Sequence, residues 1–197
     1  MLRPKSPKAR HVLLVVDAEN GFCHPGGISL VKHDAKETMR KIVSFREKLK
    51  RLDVPCLSLC MNRKVRGGMS QWKTEMIQSF APSVREKACW KDNPLDEPLN
   101  EEHCLAETLQ KITGWHEPHL LLCGFWANNC VSHVSTEALR HGIRSTVVTD
   151  CTYPLFDTKT QQRNLEHARK KYPGINPSLL LFASQKDVLG NLSYYTK

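Results

Sequence analysis

Residues 119–150 read HLLLCGFWANNCVSHVSTEALRHGIRSTVVTD. An unbroken apolar run, HLLLCG (119–124), gives way to a segment over 128–141 in which Val131, Val134, Ala138 and Leu139 recur at helical spacing. Gly142 closes that helix, and the β-branched run RSTVVTDC (144–151) follows. Short continuous apolar runs are the mark of strands buried on both faces, and two of them joined through a helix form a parallel pair with a right-handed crossover. This unit sets the fold class as α/β.

The flanking sequence repeats the unit. Towards the N-terminus, HVLLVVDA (11–18) is a strand ending at a carboxylate, and VPCLSLCM (54–61) and KACWK (87–91) are the second and third strands. Between the first two, residues 34–51 set Met39, Ile42, Val43 and Leu49 at helical spacing behind Asp34 as a cap. Residues 62–83, with Gly67, Gly68, Trp72 and Pro82, read as a partly helical excursion over one end of the sheet. A turn-rich DNPLDEP leads to a helix over 100–114, closed by Gly114. Towards the C-terminus come a helix over 158–171, a short sixth strand SLLLFAS (178–184), and a tail, KDVLGNLSYYTK, with one helical turn and a frayed end. The alternation predicts a three-layer α/β sandwich, a mostly parallel six-stranded sheet with helices on both faces. With no internal repeat, low-complexity segment or linker, residues 11–197 read as one domain behind a basic, flexible tail over 1–10.

A hydrophobic fraction of 40% and a charged fraction of 25% are those of a soluble globular protein. No apolar run approaches the roughly 20 residues that cross a bilayer, and HVLLVV is too short for a secretory signal. The cysteines are scattered without a CxxC pair or zinc spacing, and Cys56, Cys60, Cys89 and Cys123 lie in or beside apolar runs as small hydrophobes. That usage reads as a reduced, cytoplasmic protein with no membrane partner. The net charge of +9 permits contact with nucleic acid. Its cations are spread in mild clusters at 1–10, 40–51, 63–66 and 169–171, which is the pattern of solvated faces, so nucleic acid is not the expected partner.

In a parallel sheet the ligand site lies off the carboxyl ends of the strands. Three chemically capable residues fall there: Asp17 after HVLLVV, Lys91 after ACW, and Cys130 in the turn after HLLLCG. Each alone has an ordinary reading, as a turn former, a surface lysine and a buried thiol. Together they form a coherent trio. A thiol of ordinary pKa near 8.5 is mostly protonated at neutral pH, and a helix N-terminus or a cation favours its thiolate. Asp17 would take the thiol proton and return it to a leaving group, while Lys91 would hold Asp17 ionised.

These residues carry a resemblance to the isochorismatase-like cysteine hydrolases, the family of isochorismatases, nicotinamidases and N-carbamoylsarcosine amidases. LLVVDAENGFCHPGGISL resembles the family's first strand, its catalytic Asp and the Phe–Cys–x–Pro–Gly–Gly–x–Leu stretch after it. CGFWANNCVSHVSTEALRHGIRSTVVTDCT is similar to the segment in which a Gly is followed six positions later by the nucleophilic Cys and then Val. The resemblance covers nearly the whole chain. It implies a hydrolase that cleaves a small-molecule C–N bond through a thioester, with Asp17 as base, Cys130 as nucleophile and Lys91 as third member, Lys87 being the alternative lysine. It also implies a non-proline cis peptide at Phe125–Trp126, with backbone N–H groups of Trp126 or Ala127 and of Cys130 aimed at the substrate oxygen. Phe22, Trp72, Trp90, Trp126 and Asn128 are candidate pocket walls, whereas His24 and His133 read as surface or packing residues. Relatives often assemble, so a homo-oligomer is expected.

Two departures narrow the resemblance. Nicotinamidases carry an Asp-x-His-x-x-His metal site after the second strand, and the corresponding CMNRKVRGGMSQW has neither Asp nor His, so no metal and no cofactor are expected. Trp126 and the pair Asn128–Asn129 replace the usual residues of the nucleophile turn, which leaves the substrate open. Two other readings compete. LLVVDAEN also resembles the opening of PIN-like ribonucleases, in which Asp17, Asp150 and Asp157 would gather a metal ion, although Cys130 would then have no role. The other is a catalytically inactive interaction protein on the same fold.

Overall fold

The computed structural model describes residues 11–18, 23, 34–60, 87–90, 109, 113, 118–154 and 157–193. The strands are β1 (His11–Val16), β2 (Cys56–Cys60), β3 (Lys87–Trp90), β4 (His119–Phe125), β5 (Arg144–Tyr153) and β6 (Leu180–Ala183). The helices are α1 (Asp34–Arg51), α2 (Cys130–Arg140), α3 (Thr158–Lys171) and α4 (Gln185–Ser193). All six strands join one sheet in the order β3-β2-β1-β4-β5-β6, and every described pairing is parallel. The chain therefore winds outward from β1 to β3, returns to the centre, and winds the other way from β4 to β6. The order reverses between β1 and β4.

Both faces of the sheet are covered, and burial follows the strand alternation. Val12, Leu14 and Val16 pack with Val131, Val134 and Ala138 of α2 and with Ala168 of α3. Leu13 and Val15 pack on the opposite face with Ile42, Phe45 and Leu49 of α1 and with Val188 and Leu192 of α4. Val12 to Val16 are all fully buried, which is why HVLLVV reads as continuous rather than alternating. Burying five such side chains contributes on the order of 10 kcal/mol of hydrophobic free energy before entropy is counted. The three-layer architecture is the one expected from sequence.

The boundaries differ in instructive ways. α2 starts at Cys130 rather than at 128, because Ala127–Asn129 form a turn. β5 runs to Tyr153, two residues beyond expectation, with a register break against β4 between Leu122 and Gly124. The sixth strand begins at Leu180, because Asn176 caps a 3-10 turn over Pro177–Leu179. α4 is a nine-residue helix rather than one turn. Within the expected 100–114 helix, Leu109 and Thr113 are described; both are helical and buried, and the Thr113 hydroxyl donates to the Leu109 carbonyl (2.8 Å). The N-terminal tail, the 62–83 excursion, Phe22, His24, Trp72 and Lys91 lie outside the described residues.

Candidate active site

A parallel α/β sheet opens a crevice where its strand order reverses, off the carboxyl ends of the two strands at the reversal. Here those strands are β1 and β4, paired in register from His11↔His119 to Val16↔Gly124. Asp17 is the next residue after Val16. The β4–α2 turn, ending in Cys130, leaves the neighbouring tip. Two of the three candidate residues thus come from adjoining central strands although they are far apart in sequence.

Asp17 is fully buried and sits at φ +56°, in the left-handed region that L-residues other than Asn and Asp seldom enter. Its N–H donates to the Leu59 carbonyl (2.8 Å), and the Asp17 carbonyl accepts from the Cys23 thiol (3.5 Å). The main chain thus turns sharply at the strand tip and is held there by β2 and Cys23. A local energetic cost tied to one carboxylate is a common signature of a working residue.

The strand beside it approaches closely. Gly124 has φ +119°, and a Cβ there would run into the backbone carbonyl and nitrogen of Val16. No other residue fits the β1–β4 seam at this level. The Phe125–Trp126 peptide bond that follows is cis, at the position the resemblance implied, and Tyr153–Pro154 at the end of β5 is cis as well. Phe125 and Trp126 both pack on the Tyr153 ring, with centroids 5.8 and 5.3 Å away. The Trp126 carbonyl accepts from the N–H groups of Asn129 and Val131 (3.1 Å each).

One expected donor is engaged elsewhere. The Ala127 N–H donates to the Tyr153 carbonyl (2.9 Å), so it is part of the clamp that holds the turn rather than a group turned towards a substrate. From the other side, buried Asn164 of α3 reaches the Ala127 carbonyl with its amide (3.5 Å). Tyr153 and Asn164 were not candidates on sequence. The available signal for Asn164 was a polar residue on the buried i, i+4, i+8 line of α3, between Thr160 and Ala168, both buried.

Cys130 is the first residue of α2 and 8% exposed, and it shares an apolar cluster with Val16, the residue before Asp17. Asn129 caps the helix without a side-chain hydrogen bond, and the first turn carries no acidic residue. The helix end around the sulfur therefore carries the positive end of the helix dipole. Two other thiols are set by burial. Burial pushes Cys123 well above the ordinary thiol range and, with the nearby Asp150, pushes Cys151 up to about 12. Both stay protonated.

The remaining candidates divide. Asn128 is exposed on the turn and Trp126 is partly buried, packed against both core layers. Lys91 directly follows Trp90, the last residue of β3. Lys87 pairs with Leu57 at the opposite end of that strand, about 10 Å of strand from its carboxyl end. The carboxylates of the nuclease reading are occupied otherwise: Asp157 is exposed and caps α3 through the Thr160 N–H (2.6 Å), and Asp150 accepts from the Gln185 N–H (2.8 Å) at the start of α4. Among the described residues, no three His, Cys, Asp or Glu side chains gather as metal ligands.

Fold and site together define a doubly wound α/β protein with a carboxylate and a thiol flanking its switch point. The sequence profile of the isochorismatase domain matches residues 11–174, and the chain belongs to this family of hydrolases. No curated protein matches the sequence. Among solved structures, the chain is similar to N-carbamoylsarcosine amidase from Thermoplasma acidophilum, at 19% identity and TM-score 0.66 over 90% of this chain and 97% of that one. It is also similar to a cysteine hydrolase from Pseudomonas syringae pv. phaseolicola 1448A, at 15% identity and TM-score 0.69 over 98% and 96%. A pyrazinamidase of Pyrococcus horikoshii in complex with zinc aligns at 19% identity and TM-score 0.63 over 89% and 99%.

Proposed function

We propose that the protein is a cysteine hydrolase that cleaves a small-molecule C–N bond, of amide, ureido or carbamoyl type, with Asp17, Lys91 and Cys130 as its catalytic residues. The observation that supports this reading best is the position of Asp17 directly after β1 and of Cys130 at the end of the turn that leaves β4, the two strands between which the sheet order reverses. In the proposed cycle Asp17 takes the Cys130 thiol proton, and the sulfur attacks the substrate carbonyl. The tetrahedral oxyanion is met by the N–H groups of Trp126 and Cys130 at the start of α2. On collapse the C–N bond breaks, and the amine leaves with the proton that Asp17 returns. Water, deprotonated by Asp17, then attacks the thioester and releases the acid and the free thiol. Lys91 keeps Asp17 ionised between steps.

The amidase neighbour supports a C–N bond as target. The zinc-bound pyrazinamidase is a weaker guide to substrate, since residues 60–72 lack any Asp or His. The test is an intact-mass screen against small amides, ureas and carbamates. An acyl adduct is expected on the wild-type chain, none on Cys130→Ser, and on Asp17→Asn only slowly formed adduct. Hydrolysis undiminished in Cys130→Ser would overturn the mechanism.

A further inference from the structure

The basic run at 40–51 acquires a second wall in the folded chain. Along one side of α1, Glu37, Arg40, Lys41, Ser44 and Lys48 look across an open cleft at Gln185 and Lys186 of α4. Asp150 of β5 also lines the cleft, whose volume of about 670 Å³ is that of a small-molecule site. None of these residues belongs to the Asp17–Cys130 site.

The charges in the cleft are unevenly matched. Four cations, Arg40, Lys41, Lys48 and Lys186, line it against two carboxylates: Glu37 pairs with Lys41, one turn along the helix at 3.0 Å, and Asp150 keeps its charge while accepting the Gln185 N–H (2.8 Å). Arg40, Lys48 and Lys186 make no ion pair among the described residues. Arg40 and Lys48 are eight residues apart on α1, about 12 Å along the helix axis. A chain of linked phosphates can meet both ends of such a row without either long side chain folding back along the helix.

We propose that this cleft binds an extended oligophosphate, either a free polyphosphate or the triphosphate of a nucleotide. The Arg40 guanidinium takes two oxygens of one phosphoryl group, Lys48 and Lys186 neutralise the others as point charges, and the Ser44 hydroxyl and Gln185 amide donate between them.

Calorimetric titration with sodium tripolyphosphate and, separately, with ATP tests the site on the full chain. Wild type is expected to bind one equivalent saturably, more weakly as salt rises. Arg40→Ala/Lys186→Ala is expected to lose at least tenfold in affinity with an unchanged circular dichroism spectrum. Lys159→Ala/Lys170→Ala on α3 should bind as wild type does. Equal affinity for the two anions supports free polyphosphate as the natural ligand, and tighter ATP supports a nucleotide. The absence of saturable binding, an Arg40→Ala/Lys186→Ala variant equal to wild type, or tight binding confined to long RNA would overturn the proposal. The outcome does not depend on whether Cys130 is a nucleophile.

Discussion

Asp17 combines a left-handed backbone with a fully buried carboxylate, two features that selection for stability alone would remove. The backbone part is measurable. Asp17→Gly should be more stable in urea than Asp17→Ala by about 0.5–1 kcal/mol, because glycine accepts φ +56° while its looser unfolded chain offsets part of the gain. Equal midpoints would show that the turn relaxes once the carboxylate is gone. Gly124 is the opposite kind of residue, since its role is to leave space. Gly124→Ala should cost about 3 kcal/mol or more, read as a fall in the urea midpoint, because the new methyl meets the Val16 main chain rather than a side chain that could swing aside. A midpoint near wild type would mean that β1 and β4 can separate at little cost.

At the scale of elements, α2 is tied to α3 at two levels. Asn164 reaches the Ala127 carbonyl before α2 begins, and two turns further on, near-buried Glu137 accepts from Arg140 (2.9 Å) on its own helix, from Lys171 (3.1 Å) and from the Tyr172 hydroxyl. Burial opposes the Glu137 charge, but the hydrogen bonds from Tyr172, Lys171 and Arg140 prevail and hold its pKa down to about 2. A carboxylate depressed on folding adds stability that is complete above its unfolded value near 4.3 and disappears as pH falls through the folded value. Wild type should therefore lose stability between pH 4.5 and 2 more steeply than Glu137→Gln, which starts lower by about 2 kcal/mol at neutral pH. Urea melts at pH 7, 4 and 2.5 follow the two curves, and parallel curves would remove Glu137 from the acid response.

Across the whole molecule, the core layer that the sheet forms with α1 and α4 should open only when the fold as a whole does. Cys123 and Cys151 are fully buried, and their thiols stay protonated, so iodoacetamide should label them only as fast as the native chain unfolds globally. Labelling followed by peptide mass mapping should track the loss of far-UV circular dichroism along a urea series. Labelling well before that transition would reveal a sheet that opens locally around β4 and β5.

Much of this design is present in local sequence pattern. Periodicity alone separates strands from helices in 119–150, and the candidate side chains of Asp17 and Cys130 are marked by following apolar runs. Hydrophobic spacing acts over a few residues, so it is readable without coordinates. Strand order, the engagement of the Ala127 N–H by Tyr153, the Asn164 amide on the turn, the helix-capping roles of Asp150 and Asp157 and the pairing of α1 with α4 around a basic cleft are different in kind. Except for the Asp157 cap, they join groups 25 or more residues apart, and all depend on which partner the folded chain brings into contact, a matter of packing that the composition and spacing of each partner taken alone leave open.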